Sequence, residues 1–124
     1  MAKGAQQNKD HLEAVQLLGK TVSKRAGFKC EWCEGGEELR LWEYRPDEEP
    51  VEENLALLCR SCRELAVAKA ADPRRLRSIR NALWSPVPAV AEGAAVVLAR
   101  CKETWAREAI EESFIDEALK ERLL

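Results

Sequence analysis

Histidine is almost missing from this chain. His11 is the one instance, and it lies far in sequence from the cysteines and the segment between them. Long apolar runs are missing too. None approaches the ~18 residues needed to cross a bilayer, so no membrane span is expected. The polar segment from Met1 to Asp10 lacks the apolar core of a secretory signal. Residues 1–9 are therefore read as a disordered segment or tail, and the protein as cytoplasmic. A formal net charge of -2 argues against a general polyanion binder. What remains is ordinary: 124 residues, 46% hydrophobic and 34% charged, suit one folded domain with a modest core.

Charge is distributed unevenly. From Glu31 to Glu53 ten acids face only Arg40 and Arg45, whereas from Leu58 to Trp84 seven bases face Glu64 and Asp72. Such polarity creates a local field even when the sum is near zero.

Four of the five cysteines form two C-x-x-C pairs, Cys30/Cys33 and Cys59/Cys62. Without a secretory signal this pattern points to metal rather than disulfides. Two such turns present four thiolates to one ion, and four soft ligands suit tetrahedral zinc. No coordination position is left for water, so one structural Zn2+ is expected and not a catalytic one. Plain buried cysteines and iron–sulfur ligation are the alternatives. A thioredoxin-like pair fits poorly, because two pairs are present without a βαβ pattern.

The surrounding pattern gives the fold. Asp10 and Glu13 suggest a helix start, followed by Leu12, Val15, Leu18, Val22 and Ala26 at helical spacing and Gly27 at the end. Leu39 to Arg45 reads as a strand, and Pro46 to Glu53 as an acidic loop. Strong helix formers follow Cys59 and place the second pair at a helix start, where free N–H groups favour thiolate. Lys29, Arg60 and Arg63 flank the four sulfurs and could offset their excess charge. Asp72-Pro73 restarts a helix carrying Leu76, Ile79, Leu83 and Trp84, and Ser85 to Pro88 breaks it. Val90, Ala94, Val97, Leu98, Cys101 and Trp105 fall on the face of another helix, and Ile110 to Leu124 adds one or two more, carrying Phe114 and Ile115. The expected class is α+β and mostly helical. A treble-clef zinc finger at 28–71 packs with a helical part at 72–124, within one domain spanning 10–124. Trp84 and Trp105 are expected to join the two parts, and Cys101 to be a packing residue.

The run from Cys30-x-x-Cys33 through Leu39–Pro46 to Glu53-Asn54-Leu55-Ala56-Leu57-Leu58-Cys59-Arg60-Ser61-Cys62 resembles the treble-clef frame of HNH endonucleases. That family needs a histidine on the first strand as general base. Here Glu43 occupies the position, while Asn54 keeps the middle of the motif. A carboxylate with a normal pKa near 4 is a poor base. The resemblance therefore implies a retained frame and lost nuclease chemistry, with His11 read as a surface or helix-end residue.

A second resemblance covers roughly Ser23 to Leu119. Lys24-Arg25-Ala26-Gly27-Phe28-Lys29-Cys30-Glu31-Trp32-Cys33, Leu83-Trp84-Ser85-x-Val87-Pro88-Ala89-Val90, and Trp105-Ala106 with Phe114-Ile115-Asp116-Glu117 are similar to the N-terminal zinc-binding region of long PhnA-like proteins. It implies bacterial origin and zinc at the four cysteines, and no established chemistry.

Arg74, Arg75, Arg77 and Arg80 crowd one short helix. They could contact the phosphates of nucleic acid. The competing reading is a solvated face paired with the chain's own acidic segments. Trp32, Trp42 and Tyr44 could stack bases or close a small core over the metal. The reading reached is a non-catalytic zinc module that binds a partner protein or itself. A nucleic-acid binder or a residual HNH-type nuclease is the alternative.

Overall fold

The computed structural model describes residues 2–68 and 72–124, with the side chains described from residue 9 onward. Among them are six α-helices and one two-stranded antiparallel hairpin. Helix α1 spans Ala2–Arg25, and its helical backbone includes residues 2–9, the stretch read from sequence as a tail. Asp10 lies inside this helix rather than at its start. The helix stops where Gly27 and Phe28 both take left-handed backbone, with φ of 64° and 58°. There the amide of Gly27 reaches Lys24 and that of Phe28 reaches Ser23.

Strand β1 (Arg40–Glu43) pairs with β2 (Leu55–Leu58). The register sets Arg40 against Leu58 and Glu43 against Leu55. The connecting loop is held by one buried amide: Asn54 Oδ1 accepts from the Arg45 N–H at 3.0 Å, and its Nδ2 donates to the Arg45 carbonyl at 2.8 Å. β2 is apolar at every position because both its faces are covered. One small cluster joins Val22 of α1 to Leu55 and Leu57, while Ala56 and Leu58 belong to the main core.

Helix α2 (Arg60–Val67) follows Cys59 directly. The end expected for the zinc module, residue 71, lies outside the described residues. Helix α3 (Pro73–Arg77) begins as expected, with the Asp72 carboxylate accepting from the Arg74 N–H. It is shorter than expected: after a turn at Ser78 and Ile79 the chain continues as a 3-10 turn, Arg80–Trp84. Helices α4 (Pro88–Ala99), α5 (Thr104–Glu112) and α6 (Glu117–Leu123) complete the fold.

Helix α4 is the hub, packing on β2, the 80–84 turn, α5 and α6. It is buried on nearly every face rather than on one stripe, and its alanines and Gly93 let neighbours approach closely. Trp32 and Trp42 join the cysteine-bearing half to the helical half, in place of Trp84 and Trp105. Trp32 is buried and donates its indole N–H to the Val90 carbonyl of α4 at 3.1 Å. Trp42 packs edge-on against Trp32 with centroids 5.1 Å apart, and both rings sit where a Cβ on Gly93 would be. Trp84 and Trp105 are half-buried at the rim of the core. Cys101 lies beyond α4 rather than on it, half-buried against the core. Phe114, expected on an apolar helix face, is 87% exposed between α5 and α6. No described helix is long and apolar enough to cross a membrane.

Candidate metal centre

The first cysteine pair sits on a tight knuckle between α1 and β1. The Cys30 N–H donates to the Gly35 carbonyl at 2.7 Å, and the Glu34 N–H donates back to the Cys30 carbonyl at 2.8 Å. Closing this turn puts Glu34 at φ 67° and aims the Gly35 N–H at the Cys33 sulfur, 3.4 Å away. A backbone amide pointing at sulfur stabilises thiolate. A Cβ on Gly35 would press within 3.3 Å of the same sulfur.

The second pair sits at the start of α2. Cys59 is the N-cap in extended conformation, and Cys62 lies in the first turn. The helix therefore presents its unpaired N–H end and its positive dipole end to both sulfurs.

The hairpin brings the two turns together. The sulfurs of Cys30, Cys33, Cys59 and Cys62 all lie within 4.8 Å of one another, with Cys33 and Cys59 at 3.5 Å. A tetrahedral ion with bonds of about 2.3 Å to sulfur requires separations of about 3.8 Å. The set thus suits one metal ion, and its softness suits zinc. Three of the four residues are buried and Cys33 is half-buried. Among the described residues no other group of three or more histidine, cysteine or acidic side chains is placed to hold an ion.

The sulfurs also shift one another's protonation. A hydrogen bond from Cys62 holds the Cys30 thiol down at about 4. The same bond, and then burial, push Cys62 far above its ordinary range. Burial pushes the Cys33 thiol up to about 11. Four close sulfurs cannot all ionise unless a cation joins them.

The flanking bases are placed differently from one another. Lys29 lies beside Cys30 on the wall of a cleft. Arg63 ties residues on either side of the hairpin by donating to the Leu58 and Glu38 carbonyls, the former at 2.7 Å. Arg60 is spent on carboxylates, with Glu64 at 3.4 Å and Glu38 at 3.9 Å.

Two supporting groups had no sequence signal. Glu31, inside the first knuckle, takes two hydrogen bonds from Arg25 at the end of α1, at 2.7 and 3.1 Å. The same carboxylate accepts from the Leu57 N–H at 2.9 Å, and Arg25 also donates to the carbonyls of Leu55 and Glu52. A nearly buried ion pair thus locks α1, the knuckle and β2 together.

His11 is a partner of Glu43 and not a bare surface residue. The position expected to carry nuclease chemistry is engaged by this histidine, and Glu43 belongs to no cluster of metal-ligating side chains among the described residues.

The four arginines do not form one free face. Arg77 lies over the Trp105 ring and Arg80 over the Trp84 ring, each 5.0 Å from the centroid. Arg75 donates to Ser61 Oγ at 2.7 Å and lies 4.0 Å from Glu64. Arg74 is exposed. Neither the acidic loop nor the acidic C-terminal segment pairs with any of them; Arg45 instead pairs with Glu48 in the loop and Glu92 on α4. Trp32, Trp42 and Tyr44 pack as one aromatic set over the hub helix.

No protein-family model matches this chain, and neither curated proteins nor solved structures give a match.

Proposed function

We propose that this chain is a non-catalytic module organised by one structural zinc ion in a treble-clef arrangement, which acts by binding a protein partner or a second copy of itself in the cytoplasm. The convergence of the four sulfurs within 4.8 Å carries this reading. A knuckle, a hairpin, and then a helix whose N-cap and first turn hold the second pair is the element order of a treble clef. Four protein donors complete a tetrahedron and leave no position for substrate. The resemblance to PhnA-like proteins supports the same assignment, as a zinc-binding region without its own chemistry. Leu17, Val67 and Phe114, each more than four-fifths exposed, are apolar contact points available to a partner.

Elemental analysis of the purified protein tests the metal: about one zinc per chain is expected, falling to none when Cys30 and Cys59 are both replaced by serine. Protein without bound metal would end this reading. Light scattering during size exclusion, across a concentration series, tests self-association against a monomer awaiting a partner.

A further inference from the structure

A cleft of about 380 Å³ opens beside the sulfur cluster, between the first knuckle and the 3-10 turn 80–84. One wall is the half-buried ring of Trp84. Three observations here are not explained by packing. Lys29 and Asn81 line the cleft and are exposed, and among the described residues their side chains have no ion-pair or hydrogen-bond partner. Arg80 lies over the Trp84 ring and, among the described residues, pairs with no carboxylate. Phe28, next to Lys29, is 66% exposed and sits at φ 58°. The left-handed backbone belongs to the end of α1, but a ring left in water adds nothing to the core.

We infer that this cleft and its rim bind single-stranded nucleic acid. One base enters against Trp84, its neighbour stacks on Phe28, and Lys29 and Arg80 take the flanking phosphates. Aromatic faces hold bases of any sequence, each worth about 1–3 kcal/mol. The Asn81 amide offers a donor and an acceptor to the edge of the base that enters.

Charge decides the orientation. Cys30, Cys33 and the exposed Glu34 also line the cleft, so phosphate is disfavoured beside them and a neutral base is not. Glu31 also lines the cleft, but its carboxylate is taken by Arg25 and the Leu57 N–H. A duplex keeps its bases stacked and paired and has none to insert. This site differs from a general basic face on the 74–80 segment, because it needs Phe28 and Lys29 from the other side of the cleft.

The inference rests on the metal-organised knuckle, so metal content is measured on every variant. The experiment is fluorescence anisotropy of a labelled single strand of about ten nucleotides at about 50 mM salt, with metal-loaded protein. Binding is expected, weakened about tenfold by Phe28→Ala. Lys29→Ala should also weaken it and reduce the salt slope by about one. Both positions are exposed, so both variants should keep their fold and metal. Trp84→Leu tests the wall. Full metal with no binding to the single strand, or unchanged affinity in Phe28→Ala, overturns the inference and leaves the zinc assignment standing. A free mononucleotide or a duplex bound as tightly as the strand overturns it too. Loss of metal in the wild-type protein would instead implicate the zinc assignment.

Discussion

His11 Nε2 lies 2.5 Å from Glu43 Oε1, a contact that spans 32 residues and pins the middle of α1 to the end of β1. Each side chain is about a quarter exposed, at 26% and 23%, so the pair is partly screened. Exposed and part-exposed pairs of this type contribute about 0.2–1 kcal/mol. A double-mutant cycle of His11→Ala and Glu43→Gln in urea unfolding should give a coupling in that range. Coupling indistinguishable from zero would show that the contact does not help pin α1 to the hairpin.

Loading the metal must strip a proton from Cys33, held up at about 11, and from Cys62, held higher still, whereas Cys30 at about 4 is already ionised at neutral pH. The sign follows from the bound state, which holds thiolates while the unfolded chain holds thiols below the ordinary value of 9.0. Falling pH therefore weakens the loaded fold, beginning below about 9, and rising pH strengthens binding. Each proton released gives about a tenfold gain in affinity per pH unit. Calorimetry in two buffers of different ionisation enthalpy counts the protons. A titration that releases none excludes Cys33 and Cys62 as ligands.

Gly93 has no room for a methyl group. A Cβ there would stand 2.9 Å from Trp42 Cζ3 and 3.1 Å from Trp32 Cζ2. Both rings are wedged among core residues, so neither gives way cheaply. Gly93→Ala should cost about 1–3 kcal/mol, although glycine to alanine in a helix ordinarily stabilises. A thermal midpoint that rises in this variant would mean that the two tryptophans are not seated on α4.

Replacing Arg25 with leucine strands the Glu31 carboxylate, whose side chain is only 9% exposed. A nearly buried charge without its partner costs about 3–5 kcal/mol. The variant should lose much of the protein's stability and also hold metal less tightly, because Glu31 sits between Cys30 and Cys33. Changing Glu31→Gln as well should recover part of the loss. If Arg25→Leu unfolds at the wild-type denaturant concentration, the ion pair is not structural.

Spacing made the four-cysteine cluster legible, since two C-x-x-C turns leave little freedom in where four sulfurs go. The first strand and the helix after Cys59 were legible too, through alternation at Leu39 and Leu41 and the helix formers from Arg60 on, whereas the pairing strand Leu55–Leu58, apolar at every position, had no alternation to mark it. The joint between the halves was not. Trp32 and Trp84 look alike in sequence, and only packing decides which ring meets Gly93. Arg25 with Glu31, and His11 with Glu43, are tertiary pairs between ordinary surface-type residues, with no local pattern to announce them. The start of α1 was misjudged because Asp10 and Glu13 imitate a cap that the preceding residues do not need. Helix α3 was overextended because Leu76, Ile79 and Leu83 suit a 3-10 turn as well as an α-helix when the core lies beneath them.

The side chains of Arg25 and Glu31 have a consequence for recognition. They occupy the Leu55 carbonyl and the Leu57 N–H, and the Glu31 backbone N–H takes the Leu57 carbonyl at 2.8 Å. These are the groups that β2 would otherwise offer to a third strand. The β2 edge of the small sheet is thus sealed against strand addition, a common route by which short sheets recruit extended peptides or aggregate edge to edge. An extended peptide therefore finds no free backbone partner along β2.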